Sequence, residues 1–156
     1  MLFLVEANEK YTGELAQFKK EVLLYDKNRT DQFAGCMGLR DCSTEKDWIK
    51  LCNLRKRTET CEQAGTTVPS TTYFAIRESD NRLVGVIDLR HHIDHPILGT
   101  WGGHCGYSVR PSERGKGYAN EMLRLNIQNA KRMGLSKLLV VCDETNAASE
   151  KTILAN

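Results

Sequence analysis

The sequence predicts a single α+β domain, and three observations carry that prediction. The chain has 156 residues, enough for one core that buries most of its unfolded surface and too few for two. Runs of strand formers are interleaved with stretches whose apolar residues recur every three or four positions. One stretch reads strand, glycine-rich turn, helix, strand, which is the order of a β-α-β crossover.

The opening run Met1–Glu6 is apolar but lacks the cationic lead and cleavage pattern of a signal peptide, so it is expected to be the first strand. Between Glu9 and Tyr25, the residues Leu15, Phe18, Val22 and Tyr25 fall on one helical face. From Asp26 to Cys42 glycines and charges show no period, which predicts a long loop of the kind that lines a site. Ser43 or Thr44 caps a second helix that carries Trp48, Leu51, Cys52 and Leu54 inward and ends near Gly65. Its Arg55-Lys56-Arg57 run reads as a solvated face.

Thr72–Ile76 and Leu83–Leu89, joined through Ser79-Asp80-Asn81, predict an antiparallel hairpin. His91–Gly103 is a connection, His104–Val109 a further strand, and Pro111 its stop. Ala119, Met122, Leu123, Ile127, Ala130 and Met133 form a helical stripe that ends before Gly134. Lys137–Cys142 then reads as a strand covered on both faces.

Composition narrows the function classes. Hydrophobic and charged fractions of 40% and 27% are those of a folded globular chain. A net charge of +2 is not the concentrated basic footprint of a nucleic-acid binder. No apolar run approaches the ~20 residues a membrane span needs, so no membrane partner is expected and the expected location is cytoplasmic. The six cysteines form no C-x-x-C pair and are expected to be free thiols. His91-His92-x-x-His95 has no carboxylate or cysteine partner at metal spacing, and no metal is expected.

The segment that carries chemistry is Val109-Arg110-Pro111-Ser112-Glu113-Arg114-Gly115-Lys116-Gly117-Tyr118-Ala119. A strand ends, a turn follows, and glycines fall where a helix begins. The first amides of a helix lack internal partners and the aligned peptide dipoles favour negative charge there, so this turn can hold a diphosphate. Arg110, Arg114 and Lys116 add local positive charge. A glycine pair also serves tight turns for purely conformational reasons, while Walker and dinucleotide fingerprints both fail here.

Arg114, Gly117 and Ala119 resemble motif A of the GNAT superfamily of N-acetyltransferases, R/Q-x-x-G-x-G/A. Gly106–Pro111 resembles that family's fourth strand and its exit, and Cys142–Ser149 the join to the following helix. The match runs from about His104 to Asn156. The resemblance implies a GNAT-like fold, with a central mixed, mostly antiparallel twisted sheet flanked by helices. Two final strands of that fold have no counterpart, so a C-terminally truncated version is expected, with an open fifth-strand edge that makes a homodimer plausible. It further implies that residues 1–103 form the acceptor side and 104–156 the acetyl-CoA half.

In this reading the amides of Arg114, Gly115, Lys116, Gly117, Tyr118 and Ala119 hold the CoA diphosphate. Backbone groups of Ser108 and Val109 pair with the pantetheine arm, and Asn146 helps hold it. The Val109 N–H faces the oxyanion as an amine of unknown identity attacks the thioester directly, and His104 is the candidate base. Many family members place a proton-donating tyrosine seven residues after the Asn146 position, where this chain has Ile153. That departure keeps a second reading open, a non-catalytic CoA-binding or sensor domain. A metal-binding module built on the histidine loop is the third.

Overall fold

A computed structural model describes residues 1–156, with their side chains except at position 100. Four strands, β1 (Leu2–Glu6), β2 (Ser70–Arg77), β3 (Arg82–Arg90) and β4 (Tyr107–Val109), form an antiparallel sheet in the order β1-β2-β3-β4. Its helices are α1 (Thr12–Tyr25), α2 (Glu45–Arg55), α3 (Tyr118–Arg132) and α4 (Ala147–Leu154). No helix among the described residues is long and apolar enough to cross a membrane.

Two apolar layers cover the sheet. On one face Leu15, Phe18 and Val22 of α1 and Trp48, Ile49 and Cys52 of α2 pack with Phe74, Ile76, Leu83 and Val86. On the other, Met122 of α3 meets Leu2, Ala75, Val84 and Ile87. Strand residues should alternate strictly between the layers. They do not around Val84, because the pairing passes from Ala75–Gly85 to Ile76–Leu83 and leaves Val84 as the extra residue of a bulge.

The capping signal at Thr44 is realised, with its Oγ1 accepting from the Asp47 amide at 3.1 Å. Elsewhere tertiary packing corrects the pattern. Tyr25 is 68% exposed because α1 ends there and its last turn leaves the sheet. The inward face of α2 adds Ile49 and Arg55 to Trp48 and Cys52, with Leu51 packed partly buried against the same layer, while Leu54 is not part of it. That helix stops at Arg55, and a separate 3-10 turn, Cys61–Ala64, carries the chain to Gly65. Arg55 is buried, not solvated, since its guanidinium donates to the carbonyls of Met37 and Ala64 and ties two loops together. Met133 is likewise exposed beyond the end of α3.

The largest departure concerns Lys137–Cys142. It is extended, but joins the sheet only through a parallel bridge between Cys105 and Val140, flanked by the His104 amide donating to the Leu139 carbonyl at 2.8 Å. Leu138 to Val141 are half-buried, so this segment is covered on one side, not two. Beyond the bridge it turns away from β4. All six cysteines are free thiols.

Two paired carboxylates, the buried Glu113 and the half-buried Glu21, make the fold acid-sensitive. Glu113 pairs with Arg77 at 2.7 Å, Arg82 at 2.9 Å and Lys116 at 2.9 Å. Burial alone would raise its pKa, but hydrogen bonds from Lys116 and Arg77 outweigh that and lower it. Glu21 is lowered in the same way, with hydrogen bonds from Ser112 and Arg110 overcoming burial. A carboxylate whose folded pKa lies below its unfolded value of 4.5 contributes stability above that value and loses it as the pH falls through the folded one. The melting temperature should therefore hold down to about pH 5 and fall below it. A Glu113→Gln variant should show a shallower acid slope when melting is followed by circular dichroism.

Candidate active site

A groove of about 970 Å³ opens between β4 and the extended segment after α3. One wall is Gly106 to Val109, and the other is Val141 to Asp143 with the first turns of α4. The two walls meet at the Cys105–Val140 bridge and separate toward α3. The loop after α1 forms the roof through Asp26, Arg29, Asp31, Phe33 and Ala34, as its length suggested. At Gly35 a Cβ would come within 2.4 Å of the Gly106 carbonyl oxygen, so only glycine lets the loop lie against the start of β4.

The register of β4 decides which backbone groups face the groove. The Asp88 amide donates to the Gly106 carbonyl, and the Arg110 amide to the Val84 carbonyl at 2.7 Å. Hydrogen-bonded pairs alternate in an antiparallel ladder, so Ser108 opposite Val86 spends its backbone groups on β3. Tyr107 and Val109 turn theirs to the open edge. The Val109 carbonyl already accepts from Arg114 Nε at 3.0 Å, which leaves its amide as the free group. Ser108 therefore contributes differently from expectation, with its Oγ donating to the Ala34 carbonyl at 2.7 Å and holding the roof. Tyr107 was missed because facing in a three-residue strand is set by its partner, not by its own pattern.

At the wide end lies the glycine turn. Gly115 and Gly117 have φ of 79° and 83°, and a Cβ at either would meet nothing within 4 Å. Gly117 is the N-cap of α3 and supplies no side-chain cap, so the first amides of this 15-residue helix lack a protein acceptor there. Gly115, Gly117, Tyr118, Ala119 and Asn120 all line the groove.

The cationic side chains expected to crowd the turn are engaged elsewhere. Arg110 is 2% exposed and bonded to Glu14, Gln17 and Glu21 of α1. Arg114 makes a bidentate pair with Asp26 at 2.7 and 2.6 Å. Lys116 reaches Glu113 at 2.9 Å. These side chains brace the turn, and any anion held there would be held by amides and the helix dipole.

Asn146 lines the groove as expected, but its side chain is shared: Oδ1 caps α4 by accepting from the Ser149 amide, and Nδ2 donates to Asp31. Ile153 is half-buried and lies outside the groove lining. The hydroxyl that does reach the groove near the closed end belongs to Tyr107, with Oη 2.6 Å from Ser149 Oγ.

His104 does not line the groove. It is buried, and its Nδ1 accepts from the Leu139 amide at 2.9 Å, which fastens β4 to the segment beside it. Burial, followed by the nearby charges of Arg90 and His92, lowers its pKa and keeps it neutral. His104 thus fastens the strand from outside the groove, where it cannot reach a bound amine. His91 bonds Thr71 Oγ1, and the ring nitrogens of His92 and His95 accept from nearby loop amides. No group of three or more potential ligands among the described residues is placed to hold a metal.

The family model described as Acetyltransferase (GNAT) domain matches residues 33–155. Among solved structures, the chain is similar to RimL, a ribosomal L7/L12 α-N-protein acetyltransferase, at TM-score 0.64 and 20% identity, covering 100% of this chain and 75% of that one. A protein from Vibrio cholerae provisionally assigned as a ribosomal-protein-serine acetyltransferase aligns at TM-score 0.63 and 17% identity, over 98% and 76%. A predicted acetyltransferase from Clostridium acetobutylicum, solved with acetyl-CoA, aligns at 0.52 and 17%, over 98% and 88%. At these identities the likeness establishes the fold. No curated protein sequence matches the chain.

Proposed function

The chain belongs to the GNAT acetyltransferase domain family, and from that premise we propose that it transfers the acetyl group of acetyl-CoA to a primary amine of a small molecule or protein. The observation that carries the reading is the uncapped start of α3, opening beside a strand whose free amides line the same groove. The amides from Gly115 to Ala119 take the CoA diphosphate. The acidic groups nearest the turn, Asp26 and Glu113, are neutralised by Arg114 and by the Arg77, Arg82 and Lys116 cluster. The pantetheine arm lies along β4 and pairs with the Val109 amide in the manner of an added strand. Asn146 stands on the opposite wall.

The closed end of the groove is the place for the thioester. There the Tyr107 amide, one step nearer the bridge than Val109, faces the carbonyl oxygen. The oxyanion role therefore falls to the Tyr107 amide and not to that of Val109, because the arm occupies Val109 before the acyl group is reached. A preorganised backbone donor at that point stabilises the negative charge that develops as a neutral amine attacks.

Titration with acetyl-CoA tests the reading directly. At a ligand concentration a hundredfold above Kd, a protein that binds only when folded gains about 2.7 kcal/mol, which appears as a clear upward shift in Tm. No shift with either acetyl-CoA or CoA in folded protein would overturn it. Acceptor-dependent thiol release across a panel of amines separates the enzyme from a CoA sensor, which would bind without turnover.

A further inference from the structure

The Tyr107 hydroxyl stands 2.6 Å from Ser149 Oγ and 3.4 Å from the Ser149 carbonyl, at the junction of β4 with α4. Both residues line the groove, and they lie on opposite walls just past the Cys105–Val140 bridge where those walls close. An arm that enters at the start of α3 and runs along β4 from Val109 toward Tyr107 ends at this hydroxyl pair. The sulfur of the thioester is the last atom of that arm before the acyl group.

We infer that the Tyr107 hydroxyl is the proton donor to the departing CoA thiolate, held in position by the Ser149 hydroxyl. The inference rests on the acetyl-transfer reading above. It also supplies what Ile153 cannot, since an aliphatic side chain has no proton to give and does not reach the groove.

The step balances. The amine nitrogen forms a bond to the acetyl carbon, the carbon–sulfur bond breaks, and its electron pair stays on sulfur. The proton on Tyr107 Oη passes to that sulfur and yields the CoA thiol. Ser149 donates its hydroxyl hydrogen to the tyrosine oxygen, which frees the tyrosine proton for sulfur and stabilises the phenolate left behind. The proton shed by the acetylated nitrogen returns through water to Tyr107, so the net movement is from nitrogen to sulfur.

The surroundings keep the donor protonated. Burial raises the Tyr107 pKa, the Ser149 hydrogen bond opposes this, and the Cys105 and Cys142 thiols add to the rise. Thr152 of α4 is the remaining polar neighbour, and Asp143 and Lys151 are the charged groups lining the far wall.

The decisive experiment needs no acceptor. In the complex with CoA, the ionisation of the bound thiol is followed by its thiolate absorbance across a pH series, in wild type, Tyr107→Phe and Ser149→Ala. A hydroxyl that donates to sulfur stabilises the thiolate, so Y107F should raise the bound thiol's pKa by about one unit. S149A should raise it by less, and Ser149→Thr should restore it. With any acceptor that supports turnover, Y107F should lower kcat about 100-fold while the KM for acetyl-CoA changes little.

Identical thiol titrations in wild type and Y107F, with CoA bound to both, would overturn the assignment and leave the acetyl-transfer reading standing. Failure of wild type to bind CoA would remove both. Should Y107F fail to fold, an unshifted thiol in S149A would count against the hydroxyl pair by itself.

Discussion

Replacing Gly117 with tryptophan is expected to weaken acetyl-CoA binding by at least about 100-fold, or ~2.7 kcal/mol, measured by calorimetry or loss of the thermal shift. The position is open, with nothing within 4 Å of where a Cβ would stand. An indole there has room and takes the space through which a diphosphate must approach the amides of α3. The substitution also forces a side chain onto a backbone with φ of 83°, a strain of roughly 1–2 kcal/mol. Gly134, just past the other end of α3, supplies the control: its φ is 92° and its Cβ position is equally open, but it does not line the groove. Gly134→Trp should therefore share the stability cost and keep full affinity. Retained binding in G117W would place the diphosphate elsewhere and overturn the reading of the turn.

The second large effect is on stability. Arg110→Met is expected to cost about 3–5 kcal/mol in urea unfolding, because it strands two carboxylates that the guanidinium now satisfies. Arg110 is 2% exposed and joins the exit of β4 to α1 through Glu14 at 3.0 Å, Glu21 at 2.5 Å and Gln17 at 2.9 Å. Glu14 also accepts from the Leu83 amide, and Glu21 from the Ser112 amide at the head of the glycine turn. The triple variant R110M/E14Q/E21Q should recover part of the loss, since it removes the unpaired charge along with its partner. Unfolding curves for the triple variant that match R110M alone would show that packing, not charge, is what the arginine supplies.

Gly117 was legible from the chain alone, because a strand end followed by glycines and a strongly periodic helix is a local arrangement in which every requirement lies within a dozen residues. Arg110 stands in the same dozen, where the sequence shows it only as local positive charge beside the turn. Its partners are about ninety residues upstream, and no local pattern announces them. Arg114 repeats the case, with its partner Asp26 88 residues upstream, whereas Lys116 pairs with Glu113 only three residues away. A cation beside an anion-binding turn looks like a ligand until the carboxylate that neutralises it is seen.

The strands show the same division. The hairpin of β2 and β3 was predicted to within two residues at each end, since strand formers and a turn signal suffice to specify it. Lys137–Cys142 has the composition of a buried strand, yet composition cannot say whether a neighbour lies on each side, and this segment meets β4 through a single bridge before parting from it. That separation is what makes the groove. The exchange of Ser108 for Tyr107 as the residue facing it likewise follows from pairing with β3, which fixes the facing of every residue in the strand at once.

By itself the sequence determined the α+β class, the order of most elements, and the turn at Gly115–Gly117 with its free amides, because helical period, strand composition and glycine geometry are all short-range properties. Only the tertiary structure decided which charges are already paired, which edge of β4 is open, and that the hydroxyl of Tyr107 meets Ser149 across the groove. Each of these depends on contacts between residues tens of positions apart, where energy is set by burial and by distance in space and leaves no mark on the neighbouring sequence.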